Sequence, residues 1–245
     1  MKQRLDKLLL DKGLAPSRQK AQALIAAGLV FVDGNRADKA GVQYADDCAI
    51  EIKGNSCPYV SRGGLKLAAA LEHFKIKPQG YVCADIGAST GGFTDCLLQN
   101  GAAKVYAVDV GYGQLDWKLR RDARVVVMER TNARHLTKDN FEEPLNLAVI
   151  DASFISLKLL IPPLLPLFQG EIAIVALIKP QFEVGKGKVG KGGVVRDSAL
   201  HQEVIAGISD FAETLDLLTV AVIPSPILGP KGNIEFLAFF KSRGN

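Results

Sequence analysis

The sequence contains few cysteines, and they are not arranged in pairs. Its 245 residues include four, at positions 48, 57, 83 and 96, and none of them has C-x-x-C spacing. Scattered cysteines in apolar stretches favour neither a zinc site nor a disulfide framework, and they fit a reducing compartment. We therefore predict no metal site.

Long apolar runs and a secretory signal are also lacking. The longest apolar run, Leu159 to Phe168, contains three prolines and is shorter than the ~20 apolar residues that span a bilayer. Residues 1–13 are charged throughout, without the apolar region and small-residue cleavage site of a signal peptide. We expect a soluble cytoplasmic protein with no membrane partner.

The net charge is small, but it is concentrated in one part of the chain. Thirty Lys and Arg against 26 Asp and Glu give +4 overall. Residues 1–39 carry eight cations and four anions, which accounts for the whole excess. A positive charge confined to a short segment is typical of a module that faces a polyanion. A solvated surface that happens to be basic explains the charge equally well.

The first 58 residues read as a small α+β unit. Two helices are predicted, the second beginning at Ser17, whose hydroxyl can cap it, and ending at Gly28. Asp33-Gly34 predicts a hairpin turn, and Ile50–Ile52 reads as the last strand. The turn-forming cluster at 54–58 is interpreted as a linker, so that the second domain begins at residue 59.

From Tyr81 onward, short apolar runs alternate with amphipathic stretches. This alternation predicts an α/β domain with a mostly parallel sheet that is covered on both faces. The predicted strands are 82–84, 105–108, 125–127, 147–150, 172–178, 219–223 and 234–240. The last two follow each other without a helix, so we expect them to form an antiparallel pair at the edge of the sheet.

A glycine-rich loop follows the first of these strands, at the end where open parallel sheets bind ligands. The loop runs DIGASTGGFTD from Asp85 to Asp95, and the next strand ends in Asp109. A carboxylate at Asp109 is placed to accept the ribose hydroxyls of an adenosine. The spacing is not G-x-G-x-x-G, which weakens a dinucleotide interpretation. A glycine turn that binds no ligand remains an alternative.

Four charged residues occupy positions that the apolar pattern makes unfavourable. Asp151 and Lys179 each end a strand, Glu235 lies inside the last strand, and Lys66 lies on an apolar helix. Each alone is explained as a strand-end cap or a surface residue. Because an ionised group near a core needs a partner, the four could also pair with one another at one end of the sheet.

The order of these residues resembles a known family. Lys66, Asp151, Lys179 and Glu235, interleaved with the glycine loop, match the Lys-Asp-Lys-Glu tetrad of FtsJ-like ribose 2′-O-methyltransferases. The phrases that more specifically resemble the TlyA family, often labelled haemolysins, are SRGGLKL at 61–67, DIGASTGGFTD at 85–95, ERTN at 129–132 and KPQFE at 179–183. RLD at 4–6, SRQKA at 17–21 and LIAAG at 24–28 are similar to the alpha-L RNA-binding domain.

The resemblance implies a fold and an activity. The fold is a class I methyltransferase domain over 59–245, Rossmann-like, with a mostly parallel seven-stranded sheet and an antiparallel edge hairpin. An alpha-L type RNA-binding domain and linker over 1–58 precede it. The implied activity is S-adenosylmethionine-dependent 2′-O-methylation of ribosomal RNA, in free form or in ribosomal subunits, at a cytidine.

The resemblance also implies roles for individual residues. Lys179 is the general base, Asp151 and Glu235 orient and partly neutralise the lysines, and Lys66 positions the hydroxyl or its phosphate. A lysine acts as a base near neutrality only if burial or a neighbouring cation lowers its pKa, and Lys66 would supply that cation. The residues implied to bind the methyl donor are Asp85, Gly87, Gly91, Gly92, Asp109 and Asn132. Those implied to face RNA are Arg4, Arg18 and Lys20, and we expect Lys186 and Lys188 to face RNA as part of a basic loop over residues 185–192.

Three other functions are alternatives to this one. Residues 185–192 nearly match the phosphate-loop pattern G-x-x-x-x-G-K-[ST], but Gly192 supplies no hydroxyl for Mg²⁺ and no helix obviously starts at Lys191. A membrane-lytic toxin lacks support from a signal, a spanning helix or a basic amphipathic helix. An RNA-binding protein with an inactive methyltransferase fold is a further alternative, which the filled tetrad disfavours.

Overall fold

The computed structural model divides the chain into two compact units, Met1–Ser56 and Cys57–Asn245. It describes residues 2–26, 28–53, 57–185, 187, 189–190 and 192–243. Lys186 and Lys188 therefore lie outside the described residues, as does most of the predicted linker.

The first unit contains the predicted helices and hairpin. Its helices are α1 (Leu5–Asp11) and α2 (Arg18–Ala26), and its strands are β1 (Lys2–Arg4), β2 (Val30–Val32), β3 (Asn35–Arg36), β4 (Gln43–Ala45) and β5 (Ile50–Ile52). The backbone N–H of Lys20 donates to the Ser17 hydroxyl, so the predicted helix cap is confirmed. Gly28 has φ +69°, as the predicted helix end requires, and Asp33 and Gly34 both have positive φ in the turn between β2 and β3.

Two strands of this unit were not predicted. β1 and β4 pair antiparallel, with Gln3 opposite Tyr44. Each is three residues long, and β1 carries two cations around a glutamine, so neither shows the apolar alternation that identifies a strand in a sequence.

The second unit is built around a seven-stranded sheet. Its strands are β6 (Val82–Ile86), β7 (Lys104–Val108), β8 (Val125–Met128), β9 (Leu147–Ile150), β10 (Ala173–Ile178), β11 (Leu217–Pro224) and β12 (Phe236–Ser242). Its helices are α3 (Gly63–His73), α4 (Gly92–Gln99), α5 (Trp117–Arg120), α6 (Leu157–Leu164), α7 (Pro180–Glu183) and α8 (Ser198–Glu213). The strand order is β11-β12-β10-β9-β6-β7-β8, in which β6 to β10 are parallel.

The predicted antiparallel pair is confirmed, with one difference. β12 pairs with β11 on one side and with β10 on the other, so only β11 lies at the edge. Glu235, predicted inside this strand, instead lies just before it, because β12 begins at Phe236. Since Phe236 is opposite Ile178, Glu235 still faces the end of β10 where Lys179 follows.

The two faces of the sheet bury two separate apolar clusters. Within β9, Ala148 and Ile150 belong to the cluster under α6 and α8, whereas Leu147 and Val149 belong to the cluster under α3 and α4. Strands whose successive side chains are all buried are expected where helices cover both faces. The predicted layering of the second unit is therefore confirmed.

The proline-containing apolar run forms short helices within this core. It contributes to α6 and to the 3₁₀ helix Leu165–Leu167, and α6 buries Leu160 and Ile161. Across the described ranges, no helix has both the length and the apolar character needed to cross a membrane.

Candidate active site

The polar residues predicted from the sequence gather at one edge of the second unit. Parallel strands point the same way, so the segments that follow β6, β7, β9 and β10 all leave the sheet at its carboxyl edge. Gly87, Asp109, Asp151 and Lys179 stand at these four exits. The residues that follow each strand can therefore form one site, although they are far apart along the chain.

The structure brings the four charged side chains of the tetrad together. Lys66 Nζ lies 2.7 Å from Glu235 Oε2 and 3.7 Å from Asp151 Oδ2. Lys179 Nζ lies 2.5 Å from the other oxygen of the same carboxylate, Asp151 Oδ1. Asp151 thus contacts both lysines, and Glu235 contacts Lys66.

These charges are largely removed from solvent. Lys66 is 8% exposed, Lys179 6% and Glu235 1%. Isolated charges in such surroundings would be strongly unfavourable, but two ammonium groups and two carboxylates balance one another. Glu235 Oε1 is buried and has no hydrogen-bond partner among the described residues, so this carboxylate keeps a free acceptor position at the site.

A glycine makes room for Glu235. A Cβ atom added to Gly229 would lie 2.1 Å from Glu235 Oε1, so a side chain at that position would displace the carboxylate. Gly229 could not be predicted from the sequence, because only the folded path of the loop between β11 and β12 brings it to Glu235.

Lys179 has a second polar neighbour that sequence reasoning missed. Its Nζ donates to Ser153 Oγ at 3.0 Å. Ser153 lies two residues after Asp151, in the segment that joins β9 to α6. The sequence feature that could have identified Ser153 is its position two residues after an aspartate that ends a strand.

The same segment is tied to the helix that follows Lys179. Glu183, the last residue of α7, accepts from the Ser156 hydroxyl at 2.6 Å and from the Leu157 backbone N–H at 2.8 Å. Burial raises the pKa of Glu183, and these hydrogen bonds partly offset the effect. Glu183 thereby fixes the start of α6 relative to Lys179.

Asp85 is fully buried beside the glycine loop. Its Oδ2 accepts from the Thr94 hydroxyl at 2.6 Å and from the Thr94 backbone N–H at 2.9 Å, in the first turn of α4. Its Oδ1 is buried without a partner in the described part of the chain. Burial raises the pKa of Asp85 to about 7, with the Thr94 hydrogen bonds acting in the opposite direction.

Asp109 fixes the glycine loop from the neighbouring strand. Its two oxygens accept from the backbone N–H groups of Ser89, at 2.8 Å, and Gly111, at 2.7 Å. Each carboxylate oxygen has a further lone pair, so Asp109 can still accept hydroxyl groups.

The glycines of the loop allow close contacts with neighbouring segments. Gly87 has φ +84°, and a Cβ there would lie 2.9 Å from the Asp151 carbonyl oxygen. Gly91 has φ +95°, and a Cβ at Gly92 would lie 2.8 Å from the backbone nitrogen of Gly64 in α3. Through Gly87 the loop packs directly on the segment that carries Asp151.

Asn132 follows β8 at the same edge of the sheet. Its Oδ1 caps the 3₁₀ helix Ala133–His135 by accepting from the Arg134 backbone N–H. It also lines a cavity of about 510 Å³ together with Ser153, Phe154 and Phe182. Asn132 therefore has a local structural role and an open side toward the cavity.

In the first unit, two of the predicted RNA-facing residues converge on one carboxylate. Asp6 is fully buried and accepts from Arg4, from Arg18 at 2.9 Å and from Gln22 at 2.8 Å. The Arg4 hydrogen bond holds the pKa of Asp6 well below its usual range. Both arginines remain about half exposed, whereas Lys20 lies two positions from Arg18 and points to a different side of α2.

Comparison with known proteins assigns both units. A model of the FtsJ-like methyltransferase family matches residues 59–242, and a model of the S4 domain, an RNA-binding domain, matches residues 3–44. The 16S/23S rRNA (cytidine-2′-O)-methyltransferase TlyA of Mycobacterium tuberculosis is 48% identical over 98% of this chain and 90% of its own length. The chain belongs to the TlyA family of FtsJ-like methyltransferases.

Other members of the TlyA family carry a different name. Hemolysin A of Brachyspira hyodysenteriae is 44% identical over 97% of this chain and 99% of its own length. A solved chain from Streptococcus thermophilus described as a hemolysin is 45% identical, with a TM-score of 0.79 over 100% of this chain and 90% of that one. The predicted family and methyltransferase class are confirmed.

More distant solved structures bear on the fold alone. Methyltransferase chains at 11–15% identity reach TM-scores of 0.51–0.55 over about three quarters of this chain. The predicted class I methyltransferase fold is confirmed. Lys191, where the phosphate-loop alternative needs a helix to begin, lies outside the described residues, and the next described helix, α8, begins at Ser198.

Proposed function

We propose that this protein transfers a methyl group from S-adenosylmethionine to the 2′-hydroxyl of a cytidine in ribosomal RNA. The observation that carries the proposal is the balanced cluster of Lys66, Asp151, Lys179 and Glu235, which lies at the same edge of the sheet as the glycine loop. The name of the M. tuberculosis relative supports a ribosomal RNA cytidine as the substrate, and the name of the family supports methyl transfer as the reaction.

The residues around the glycine loop fit the methyl donor. The unpaired Oδ1 of Asp85 suits a cationic amino group, and the spare lone pairs of Asp109 suit ribose hydroxyls. We assign donor binding to these two residues, to the backbone at Gly87, Gly91 and Gly92, and to Asn132 beside the cavity. When bound, S-adenosylmethionine supplies an electrophilic methyl group on a sulfonium.

The tetrad residues supply the remaining chemistry. Transfer to a hydroxyl requires an acceptor for its proton, and we assign this role to the amine of Lys179. Asp151 holds Lys179 in place and, with Glu235, balances the charge of Lys66, which positions the ribose or its phosphate. Much of the rate acceleration then comes from alignment, which can contribute ~7–11 kcal/mol.

The first unit is assigned to RNA binding. We propose that residues 1–58 form the RNA-binding domain and linker, and that 59–245 form the methyltransferase domain. We assign phosphate binding to Arg4 and Arg18, each about half exposed beside Asp6, and to Lys20. Such contacts position an RNA without reading its sequence, and the 2′-hydroxyl distinguishes RNA from DNA. Lys186 and Lys188 are assigned the same role from the sequence alone.

Replacing Lys179 tests the assignment. In Lys179→Ala, methyl transfer from tritiated S-adenosylmethionine to ribosomal RNA should fall at least ~10²-fold because the proton acceptor is lost. Donor affinity, measured by calorimetry, should change less than about threefold because Lys179 does not line the glycine loop. Transfer at the wild-type rate in this variant would show that Lys179 is not the base. Magnesium-dependent ATP hydrolysis by the wild type would instead revive the phosphate-loop alternative.

A further inference from the structure

The contact between Lys179 and Ser153 points to an additional residue of the methyl-transfer site. We propose that Ser153 is a positioning residue that directs the lone pair of the Lys179 amine toward the substrate hydroxyl. This inference rests on the proposed function, in which Lys179 accepts the proton.

The argument begins with the number of hydrogens on a lysine amine. A charged ammonium has three N–H groups, whereas the neutral amine has two N–H groups and one lone pair. Within the described residues, Lys179 Nζ has two acceptor partners: Asp151 Oδ1, with which it forms an ion pair at 2.5 Å, and Ser153 Oγ, which accepts a hydrogen bond at 3.0 Å. When the amine is neutral, these two acceptors engage both N–H groups and fix the direction of the lone pair.

Asp151 alone cannot fix that direction. With a single acceptor, the amine can rotate about its Cε–Nζ bond and place the lone pair at either remaining position. A second acceptor at a fixed angle selects one orientation. Orientation of reacting groups is the contribution by which an enzyme converts a bound substrate into a reactive one.

Ser153 is itself held in place, although its side chain is exposed. Phe154, the next residue, has φ +64° and is 89% exposed, so this backbone conformation is unfavourable unless neighbouring contacts maintain it. Contacts on both sides of Ser153 maintain it. Before Ser153, Ala152 packs on Gly87. After it, Phe154 packs on Phe182 at 5.0 Å between ring centroids, and Glu183 accepts from Ser156 and Leu157.

Ser153 also borders a cavity whose described lining residues do not include Lys179. Ser153 lines the cavity of about 510 Å³ at the carboxyl edge, which opens to solvent beside Phe154. Ser153 therefore contacts Lys179 and also borders this cavity.

Exposure makes Ser153 suitable for substitution without loss of the fold. The test compares Ser153→Ala, Ser153→Thr and, as a matched control, Ser198→Ala, an exposed serine on α8. Single-turnover methyl transfer is measured with donor and ribosomal RNA saturating, over pH 6–10, alongside the dissociation constants of both. Ser153→Ala should lower the maximal rate on the order of tenfold, with both dissociation constants within twofold of the wild type. Ser153→Thr, which keeps the hydroxyl, and Ser198→Ala should retain the rate within about threefold.

The result that would overturn the inference is a Ser153→Ala rate equal to the wild type at every pH. A loss explained by weaker donor or RNA binding would overturn it as well.

A second readout separates this inference from the proposed function. In protein with ¹⁵N-labelled lysine, the Lys179 Nζ resonance, assigned with Lys179→Arg, should change in Ser153→Ala and stay unchanged in Ser198→Ala. If the wild type methylates no ribosomal RNA, the proposed function fails, and the resonance alone then decides whether Ser153 controls the lysine. An unchanged resonance in Ser153→Ala would contradict the contact.

Discussion

At the scale of single residues, the buried carboxylate of Asp85 makes the protein sensitive to pH. The folded state raises its pKa to about 7, whereas an unfolded aspartate titrates near ~3.9. Between these values the folded state binds a proton that the unfolded chain releases. Stability therefore decreases as the pH rises through this window, because ionisation of the aspartate favours the unfolded chain, and the decrease levels off above about pH 7.

Asp85→Asn should remove this pH-dependent loss of stability, because an asparagine does not titrate. An asparagine can accept from Thr94 with its carbonyl and place its amide at the unpaired Oδ1 position. Without donor, the melting temperature of Asp85→Asn should exceed that of the wild type at pH 8, and the difference should shrink as the pH falls toward about 4. The donor should bind more weakly at pH 8, since the carboxylate that pairs with its amino group is gone. Equal stability differences at both pH values would contradict the assignment of the buried charge.

Gly87 is the second residue whose replacement is informative. In Gly87→Ala the new Cβ would lie 2.9 Å from the Asp151 carbonyl oxygen, so the backbone around Asp151 must move. Gly80→Ala is the matched control, because Gly80 has a similar φ of +76° but no atom within 4 Å of its Cβ position. Both variants should lose ~1 kcal/mol of stability from the left-handed backbone. Only Gly87→Ala should also lower the methyl-transfer rate, by about tenfold or more. Equal rates in the two variants would show that the packing of Gly87 on Asp151 has no effect on catalysis.

At the scale of elements, the start of α6 connects a helix cap to the active site. Ser156 caps α6 and binds Glu183, which follows Lys179 by four residues. In Glu183→Ala we expect a loss of ~1 kcal/mol, as for other lost caps, and a lower methyl-transfer rate because the segment of Asp151 and Ser153 is released.

Asp197→Ala is the control for this prediction. Asp197 caps α8 by accepting from the Ala199 backbone N–H, and its loss should cost similar stability. Thermal unfolding measures the loss of stability in each variant, and single-turnover kinetics measure the loss of methyl-transfer rate. If Asp197→Ala lowers the rate as much as Glu183→Ala at equal stability, general destabilisation explains both.

The elements themselves were largely predictable, and the exceptions have physical reasons. Apolar runs identified all seven strands of the large sheet, because strands covered on both faces must be apolar. β1 and β4 could not be identified because strands of three residues, each with a single partner strand, are too short to show an apolar pattern. The start of β12 was placed two residues early, since Ile234 continues the apolar run although it is partly exposed.

The candidate site was predictable in part. Its four charged residues stand out because the surrounding sequence is apolar. Ser153, Glu183 and Gly229 do not stand out, because serine, glutamate and glycine are common in loops and at helix ends. Only the path of the chain brings Ser153 to Lys179, Glu183 to Ser156 and Gly229 to Glu235.

At the scale of the whole molecule, the two units are proposed to divide the work between RNA binding and chemistry. Arg18→Ala combined with Lys20→Ala should weaken RNA binding and reduce the slope of log affinity against log salt by about one to two, since fewer phosphate contacts remain. The single-turnover rate at saturating RNA should stay near the wild type, because neither residue belongs to the unit that carries the tetrad.

Arg124→Ala serves as the control for charge. Arg124 pairs with Asp122 just before β8, at the amino edge of the sheet and so opposite the tetrad. Its removal should leave the salt dependence of RNA binding unchanged. An unchanged salt slope in the double variant would show that these residues of the first unit do not contact phosphate.

The most direct test of the central claim is to map ribose methylation in ribosomal RNA from cells that carry this gene, lack it, or carry only Lys179→Ala. The account predicts a 2′-O-methylated cytidine that is present with the wild-type gene and absent in the other two. An identical methylation pattern in all three, or a gene-dependent methyl group on a base rather than a ribose, would contradict it.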